Sequence, residues 1–211
     1  MATVLKAREI VNIAPMRAAI DAAFKEDAPA KDVRHALFLA VKQALEDGRA
    51  EIRRRFEEGR SEGDAAVRAQ AFLMDQLLRF AFDVTTEWVY PTSNPTQAER
   101  ICAVAIGGYG RGELAPASDI DLLFLMPYKI TPRIEQIVES ILYLLWDLGL
   151  KVGHATRSMD DSIRLAKEDI TIRTSILEAR ALWGNKTLFT QMRRRFWQEI
   201  ARDTGPQFIE A

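Results

Sequence analysis

Ile106-Gly107-Gly108-Tyr109-Gly110-Arg111-Gly112-Glu113-Leu114-Ala115-Pro116-Ala117-Ser118-Asp119-Ile120-Asp121 links two apolar runs, and its reading decides the fold. Before it, Ile101–Ile106 is short and continuously apolar, as a buried strand is. At its end, Asp119 to Met126 (DIDLLFLM) reads as a second strand. Between them, four glycines in six positions let the chain take positive φ and bring backbone N–H groups close to a ligand. Arg111 adds a permanent positive charge suited to phosphate oxygens. The turn is not a P-loop, which ends in Gly-Lys-Ser/Thr. Nor does it complete a dinucleotide fingerprint, because Glu113 stands where Gly or Ala is required. Taken alone, a glycine-rich turn can equally be an ordinary tight turn.

Asp119 and Asp121 are two residues apart, so on a strand both project to one face. Two carboxylates that close repel unless a cation lies between them. Mg²⁺ suits the position, since it takes one or two carboxylates and fills its shell with water and substrate phosphates. The bland alternative is a strand-start turn with two solvated aspartates. From Gly108 to Asp119 is eleven positions (119 − 108), room for a short helix that carries the glycine turn over the carboxylates. A triphosphate gripped at one end and its metal at the other would be positioned and charge-stabilised, the main resource of nucleotidyl transfer.

Outward from this segment, Pro132 opens a helix with Ile134, Ile137, Val138, Ile141, Leu142, Leu145 and Leu148 on one side, ended by Gly149. Leu150 to Ser158 reads as a third, weaker strand, and residues 159 to about 203 as helix. Upstream, Pro91 to Thr96 reads as a linker. Two helices precede it, with Asp32 and Asp64 as candidate N-caps. The aromatics of the second helix are expected in the core. Glu51 to Arg60 (EIRRRFEEGR) reads as a solvated face with i,i+4 ion pairs, and residues 1 to about 30 as loosely packed helix or tail. The expectation is an α+β fold, a small mixed sheet packed by helices. Its parts are an N-terminal helical region (1–90), a core (91–185) and the start of a further helical region (186–211).

Composition limits the function. Apolar residues make up 48% and charged residues 28%, as in an ordinary globular chain. A net charge of −1 argues against a nucleic-acid binder, which needs a basic face. No apolar stretch approaches a membrane span, and no basic start precedes an apolar block, so no membrane association is expected. The lone Cys102 allows no internal disulfide, fits a cytoplasmic location, and is expected to be buried. With His35 and His154 as the only histidines, a His-rich hydrolase site cannot be assembled from this chain alone.

The pattern of an apolar residue, Gly-Gly and then Asp-x-Asp resembles the DNA polymerase β-type nucleotidyltransferase superfamily. The fuller strings GGYGRGEL and SDIDLLFL, with WDLGLKVGHATRS and EDITIRTSILEARALWGN after them, are similar to the PII uridylyltransferase/uridylyl-removing branch. The resemblance runs strongly from Ala98 to Asn185 and loosely before it. It implies the nucleotidyltransferase fold and transfer of UMP from UTP to a tyrosine hydroxyl of the PII nitrogen-regulatory protein, releasing pyrophosphate. It implies Asp119 and Asp121 as catalytic Mg²⁺ ligands and Gly107 and Gly108 as the nucleotide-binding turn, with Arg111 and Ser118 as further candidates for phosphate contact. The family chain is much longer and adds a UMP-removing hydrolase and glutamine-sensing domains, so this sequence is expected to be a fragment without them.

One departure stands out. The superfamily commonly adds a third carboxylate on a later strand, and Leu150 to Ser158 contains neither Asp nor Glu. Asp160, Asp161 and Asp169 lie nearby in sequence, and His154 and Arg157 are polar candidates beside ordinary structural roles. The helix around Met192 to Trp197 reads as amphipathic, with a PII-docking surface as the alternative. Two other readings remain open at this level. One is a nucleotidyltransferase with a small-molecule acceptor, the other an inactive nucleotide-binding regulatory module.

Overall fold

The computed structural model describes residues 7–25, 28–94 and 96–201. The described chain opens with two helices, α1 (Ala7–Ile10) and α2 (Ile13–Ala23), the latter capped by Asn12, whose side chain accepts the Ala14 N–H at 3.3 Å. Pro15 sits in the first turn of α2, where its missing donor costs nothing. The long helices α3 (Ala30–Glu57) and α4 (Gly63–Val84) follow.

Neither expected N-cap is one. Pro29 occupies the cap of α3, and its carbonyl accepts the N–H of Asp32 at 2.9 Å and of Val33 at 3.2 Å. Its fixed φ starts the helix early, which moves Asp32 into the first turn, where a negative charge is still favourable. Glu62 precedes α4, and Asp64 pairs instead with Arg68 at 3.0 Å.

The apolar face of α4 is core as expected, with Leu73, Met74, Leu77, Leu78, Phe80 and Phe82 almost wholly buried. In the Glu51–Arg60 stretch, Arg54 pairs with Glu51 and Glu58 on the surface. Arg55 departs from the solvated reading: its side chain is 8% exposed and lies between Glu51 and Glu9, the latter at 2.7 Å. A π-helical turn, Thr85–Val89, closes α4. After the bend at 93 and 94, Thr96 and Glu99 form a capping box for the short turn Gln97–Glu99; Pro95 of the expected linker lies outside the described residues.

The rest of the chain is β1 (Cys102–Ala105), α5 (Gly107–Gly110), β2 (Ile120–Met126), α6 (Pro132–Asp147), β3 (Val152–Ser158), α7 (Met159–Glu168), α8 (Ile170–Leu177), β4 (Arg180–Gly184) and α9 (Lys186–Phe196). A π-helical turn, Trp197–Ala201, ends the described chain. The strands form one sheet in the order β3-β2-β1-β4. β1 runs antiparallel to β2, pairing Cys102 with Leu125 and Ala105 with Leu122, and antiparallel to β4 on its other side. The expected α+β class, a small sheet packed by helices, is what the chain forms.

Two elements differ from the sequence reading. The ladder of β2 begins at Ile120, so Asp119 lies just before the strand. And Arg180–Gly184 (RALWG), read as helix, is the strand β4. Its Arg, Ala and Leu are good helix formers, but β1 offers an open edge and tertiary pairing overrides a five-residue propensity. α6 ends as expected: Gly149 takes φ +70°, its N–H donates to Trp146 O at 2.8 Å, and the Leu150 N–H reaches Leu145 O at 3.0 Å.

The chain folds as two compact units. One comprises the described residues up to Ser93 with Gly112–Ile120 and Gln136–Val152. In it the N–H of Leu114 donates to Val67 O on α4 at 3.2 Å, and that of Ile120 to Lys151 O at 2.9 Å, so the loop before β2 is tied to helix α4 and to the chain entering β3. The other comprises Asn94–Arg111, Asp121–Glu135 and the described chain from Gly153. Its core joins Cys102, Val104, Leu123 and Leu125 of the sheet to Ile163, Ile176, Leu188, Met192 and Phe196 of the covering helices. Cys102 is buried as expected, and burial pushes its thiol up to about 12. No helix of the described residues is long and apolar enough to cross a membrane.

Candidate active site

β1 carries the chain into the glycine turn. The Ile106 N–H donates to the Asp121 carbonyl at 3.1 Å, which sets the start of α5 beside Asp121. Gly107 then takes φ +59°, a left-handed conformation that favours glycine. A Cβ at Gly107 would stand 3.2 Å from Asp121 Oδ2. One at Gly153 of β3 would stand 2.3 Å from Asp121 Oδ1. Each oxygen of the Asp121 carboxylate is therefore flanked by a residue without a side chain. Asp121 is half-buried, at the mouth of a strand whose following residues, Leu122 to Met126, are buried.

Asp119 is exposed, in the segment Gly112–Ile120. Ser118, beside it, is also exposed, and its N–H donates to Ala115 O at 3.1 Å. In that turn Ala117 takes φ +64°, a non-glycine residue in the left-handed region. Such a conformation costs about 1–2 kcal/mol. Arg111 is exposed, and its guanidinium meets Glu178 at 2.8 Å. Gly108 is half-buried in α5, the one-turn helix that follows Ile106.

The further acids weighed from the sequence each have a local structural partner. Asp161 accepts from Ser158 Oγ at 2.7 Å while its own N–H donates to that Oγ at 3.0 Å, which caps α7. The Ser158 and Arg164 bonds hold its carboxyl below the usual range. Asp169 caps α8 by accepting from Thr171 N–H at 2.7 Å and Ile172 N–H at 3.2 Å, and it too is held low by those backbone donors. Asp160 pairs with Arg195 at 2.5 Å. His154 is exposed on β3, and Arg157 is half-buried. Among the described residues, no group of three or more His, Cys, Asp or Glu is placed to hold a metal.

Two residues of this site are not reached by the sequence reading. Gly153 brings no acid to β3, so a search of that strand for carboxylates gives it no weight. A glycine inside a strand, as here in Lys151-Val152-Gly153-His154, is nonetheless a signal of close approach. Arg180 falls in a stretch that reads as helix. It donates from Nε to Gly110 O at 3.3 Å and from Nη2 to Tyr109 O at 3.2 Å.

Chemically, Asp121 offers hard carboxylate oxygens in a cradle that a Cβ would fill, and Asp119 a second carboxylate two residues away in the chain. That donor chemistry fits a hard divalent cation with phosphate as its other ligand.

Known proteins resemble this chain. Residues 96–180 match the model of the nucleotidyltransferase domain family. The chain is 58% identical over 179 residues to a bifunctional uridylyltransferase/uridylyl-removing enzyme of Azospirillum brasilense, covering 85% of this chain and 19% of the relative. The enzyme of the same description from Rhodospirillum rubrum is 55% identical over 179 residues (84% and 19%). That from Novosphingobium aromaticivorans is 47% identical over 202 residues (96% and 22%). The chain thus spans about a fifth of the length of these curated relatives. Residues 96–180 are a nucleotidyltransferase domain, in a chain homologous over most of its length to the bifunctional uridylyltransferase/uridylyl-removing enzymes.

Proposed function

We propose that this chain transfers UMP from UTP to a tyrosine hydroxyl of a PII signalling protein, in the signalling of nitrogen status. The observation that carries the reading is the match of a nucleotidyltransferase domain to uridylyltransferases at 47% to 58% identity, on a chain whose Asp121 carboxylate sits in a glycine cradle. In this reading Asp119 and Asp121 hold Mg²⁺. When bound, the cation supplies neutralisation of triphosphate charge and polarises the phosphorus under attack. Gly107 and Gly108 let the backbone approach the nucleotide, with Arg111 and Ser118 as further phosphate contacts.

The tyrosine oxygen attacks the α-phosphorus. A Tyr–O–P bond forms, the bond to the β-phosphate oxygen breaks, and pyrophosphate leaves. The phenol has a reference pKa of about 10, so its proton must go to a base or solvent as the bond forms. We assign the catalytic core to residues 91–185, with 1–90 as an N-terminal helical region and 186–211 as the start of a further helical region. Positions 202–211 of that last part lie outside the described residues. The uridylyl-removing step is not proposed for this chain, whose two histidines do not supply a His-rich hydrolase site.

The test is transfer of labelled UMP from UTP, with Mg²⁺, to purified PII, comparing the chain with its Asp119→Asn/Asp121→Asn variant. Labelling that vanishes in the variant supports the reading. No labelling by a folded chain that binds UTP refutes PII as acceptor for this span. Labelling that survives the double variant refutes the metal assignment.

A further inference from the structure

β4 does more than extend the sheet. Arg180, its first residue, is half-buried and reaches across to α5. Its guanidinium donates to the carbonyls of Tyr109 and Gly110, the last two of that single turn. The final carbonyls of so short a helix have no N–H four residues on within it, so a side-chain donor serves them. The same guanidinium lies over the Tyr109 ring, 5.6 Å from its centroid, and Tyr109 is almost wholly buried. The grip is reinforced by the chain just before β4. A Cβ at Gly110 would stand 2.4 Å from the Glu178 carbonyl oxygen and 3.0 Å from that of Ala105, so only glycine lets the backbones approach this closely. The Glu178 side chain then takes Arg111 at 2.8 Å.

We propose that Arg180 is a positioning residue for the nucleotide-binding turn. Through the Tyr109 and Gly110 carbonyls it fixes α5, and so fixes Gly107 against the Asp121 carboxylate. The inference rests on the uridylyltransferase reading for the word nucleotide, but the hold on the turn is a property of the fold and can be measured apart from it. A lysine would keep the charge but present a point donor where the planar guanidinium spans two carbonyls, so it serves one of them. A methionine fills similar volume and serves neither.

The experiment measures two quantities on the wild-type chain, Arg180→Lys and Arg180→Met. The first is UTP affinity with Mg²⁺ by titration calorimetry. The second is amide hydrogen exchange. Arg180→Met should exchange the Gly110 and Arg111 amides at least about tenfold faster and weaken UTP by about tenfold or more, as the loss of charge-assisted bonds implies. The Val104 and Leu123 amides in the sheet should be unchanged, and Arg180→Lys should fall between. Unchanged exchange at Gly110 and Arg111 in Arg180→Met would overturn the proposal. So would faster exchange throughout the sheet in both variants, which would make Arg180 a residue of the fold at large. A folded wild-type chain that binds no UTP sinks the functional reading, while the exchange data still decide whether Arg180 holds the turn.

Discussion

Replacing Gly153 with alanine tests the site with a single methyl group. The added Cβ would stand 2.3 Å from Asp121 Oδ1, where a carbon and an oxygen need about 3.3 Å. The carboxylate must therefore yield by about 1 Å. It can do so, because the other nearby atom is Asp121 Cγ at 3.5 Å and the added methyl meets no backbone atom of another segment within 4 Å. Gly153 is not among the residues with positive φ, so alanine adopts its backbone without strain. The substitution should consequently leave stability level or raise it by about 0.4–1 kcal/mol, through a less flexible unfolded chain. Under the proposed role of Asp121 activity should behave differently, since misplacing a catalytic group by about 1 Å costs on the order of 10²-fold. The assay is kcat/KM for UMP transfer beside a urea unfolding curve, with Gly63→Ala as control, a position with open space around it. A Gly153→Ala enzyme of wild-type rate would refute the claim that the missing side chain sets the Asp121 carboxylate. A large loss of stability would refute the claim that the clash falls on that carboxylate alone.

Gly184→Ala should do the reverse and damage the fold: the residue has φ +85°, and its Cβ would meet the Ile101 carbonyl oxygen at 2.3 Å, a backbone atom that cannot swing aside. A loss of about 2–3 kcal/mol in urea unfolding is expected, and less than about 0.5 kcal/mol would contradict it. The caps make stability pH-dependent. Asp169 has its folded pKa held below the ordinary 3.8, first by the Ile172 N–H and then by the Thr171 N–H. A depressed carboxyl contributes stability that is present above its unfolded pKa and lost as pH falls through the folded one. The unfolding midpoint should therefore drop below about pH 4, and Asp169→Asn should flatten part of that drop in an acid series. Cys102, buried and pushed up to about 12, should resist a disulfide reagent at about pH 8 in the native chain and react fully in denaturant. Fast native reaction would show that β1 opens far more readily than its burial implies.

Much of this was legible in the sequence for physical reasons that can be named. Ile101–Ile106 and Leu122–Met126 are apolar without alternation, and the strands they form are buried on both faces, with no wet side to ask for polar residues. The glycine signal at Gly107 was sound, since the position takes φ +59°. The helix ends were less legible. Asp32 and Asp64 have the right chemistry for caps, but Pro29 begins α3 on its own account and Asp64 finds Arg68. β4 was illegible because five residues carry no period, and what makes them a strand is the open edge of β1, a fact about another part of the chain.

The same logic explains why half of the Asp121 cradle was missed. A search for a third carboxylate asks which side chains β3 contributes, and β3 has no acid to offer. What β3 gives is a missing methyl: at Gly153 no Cβ fills the 2.3 Å position beside Oδ1, and at Gly107 none fills the 3.2 Å position beside Oδ2. The two glycines thus let the carboxylate lie closer to both backbones than any side chain would permit. Asp160, Asp161 and Asp169 are engaged with an arginine, a serine and two amides respectively. What sets Asp121 apart in position is this close packing of its carboxylate against two backbones, at distances that only residues without a Cβ allow.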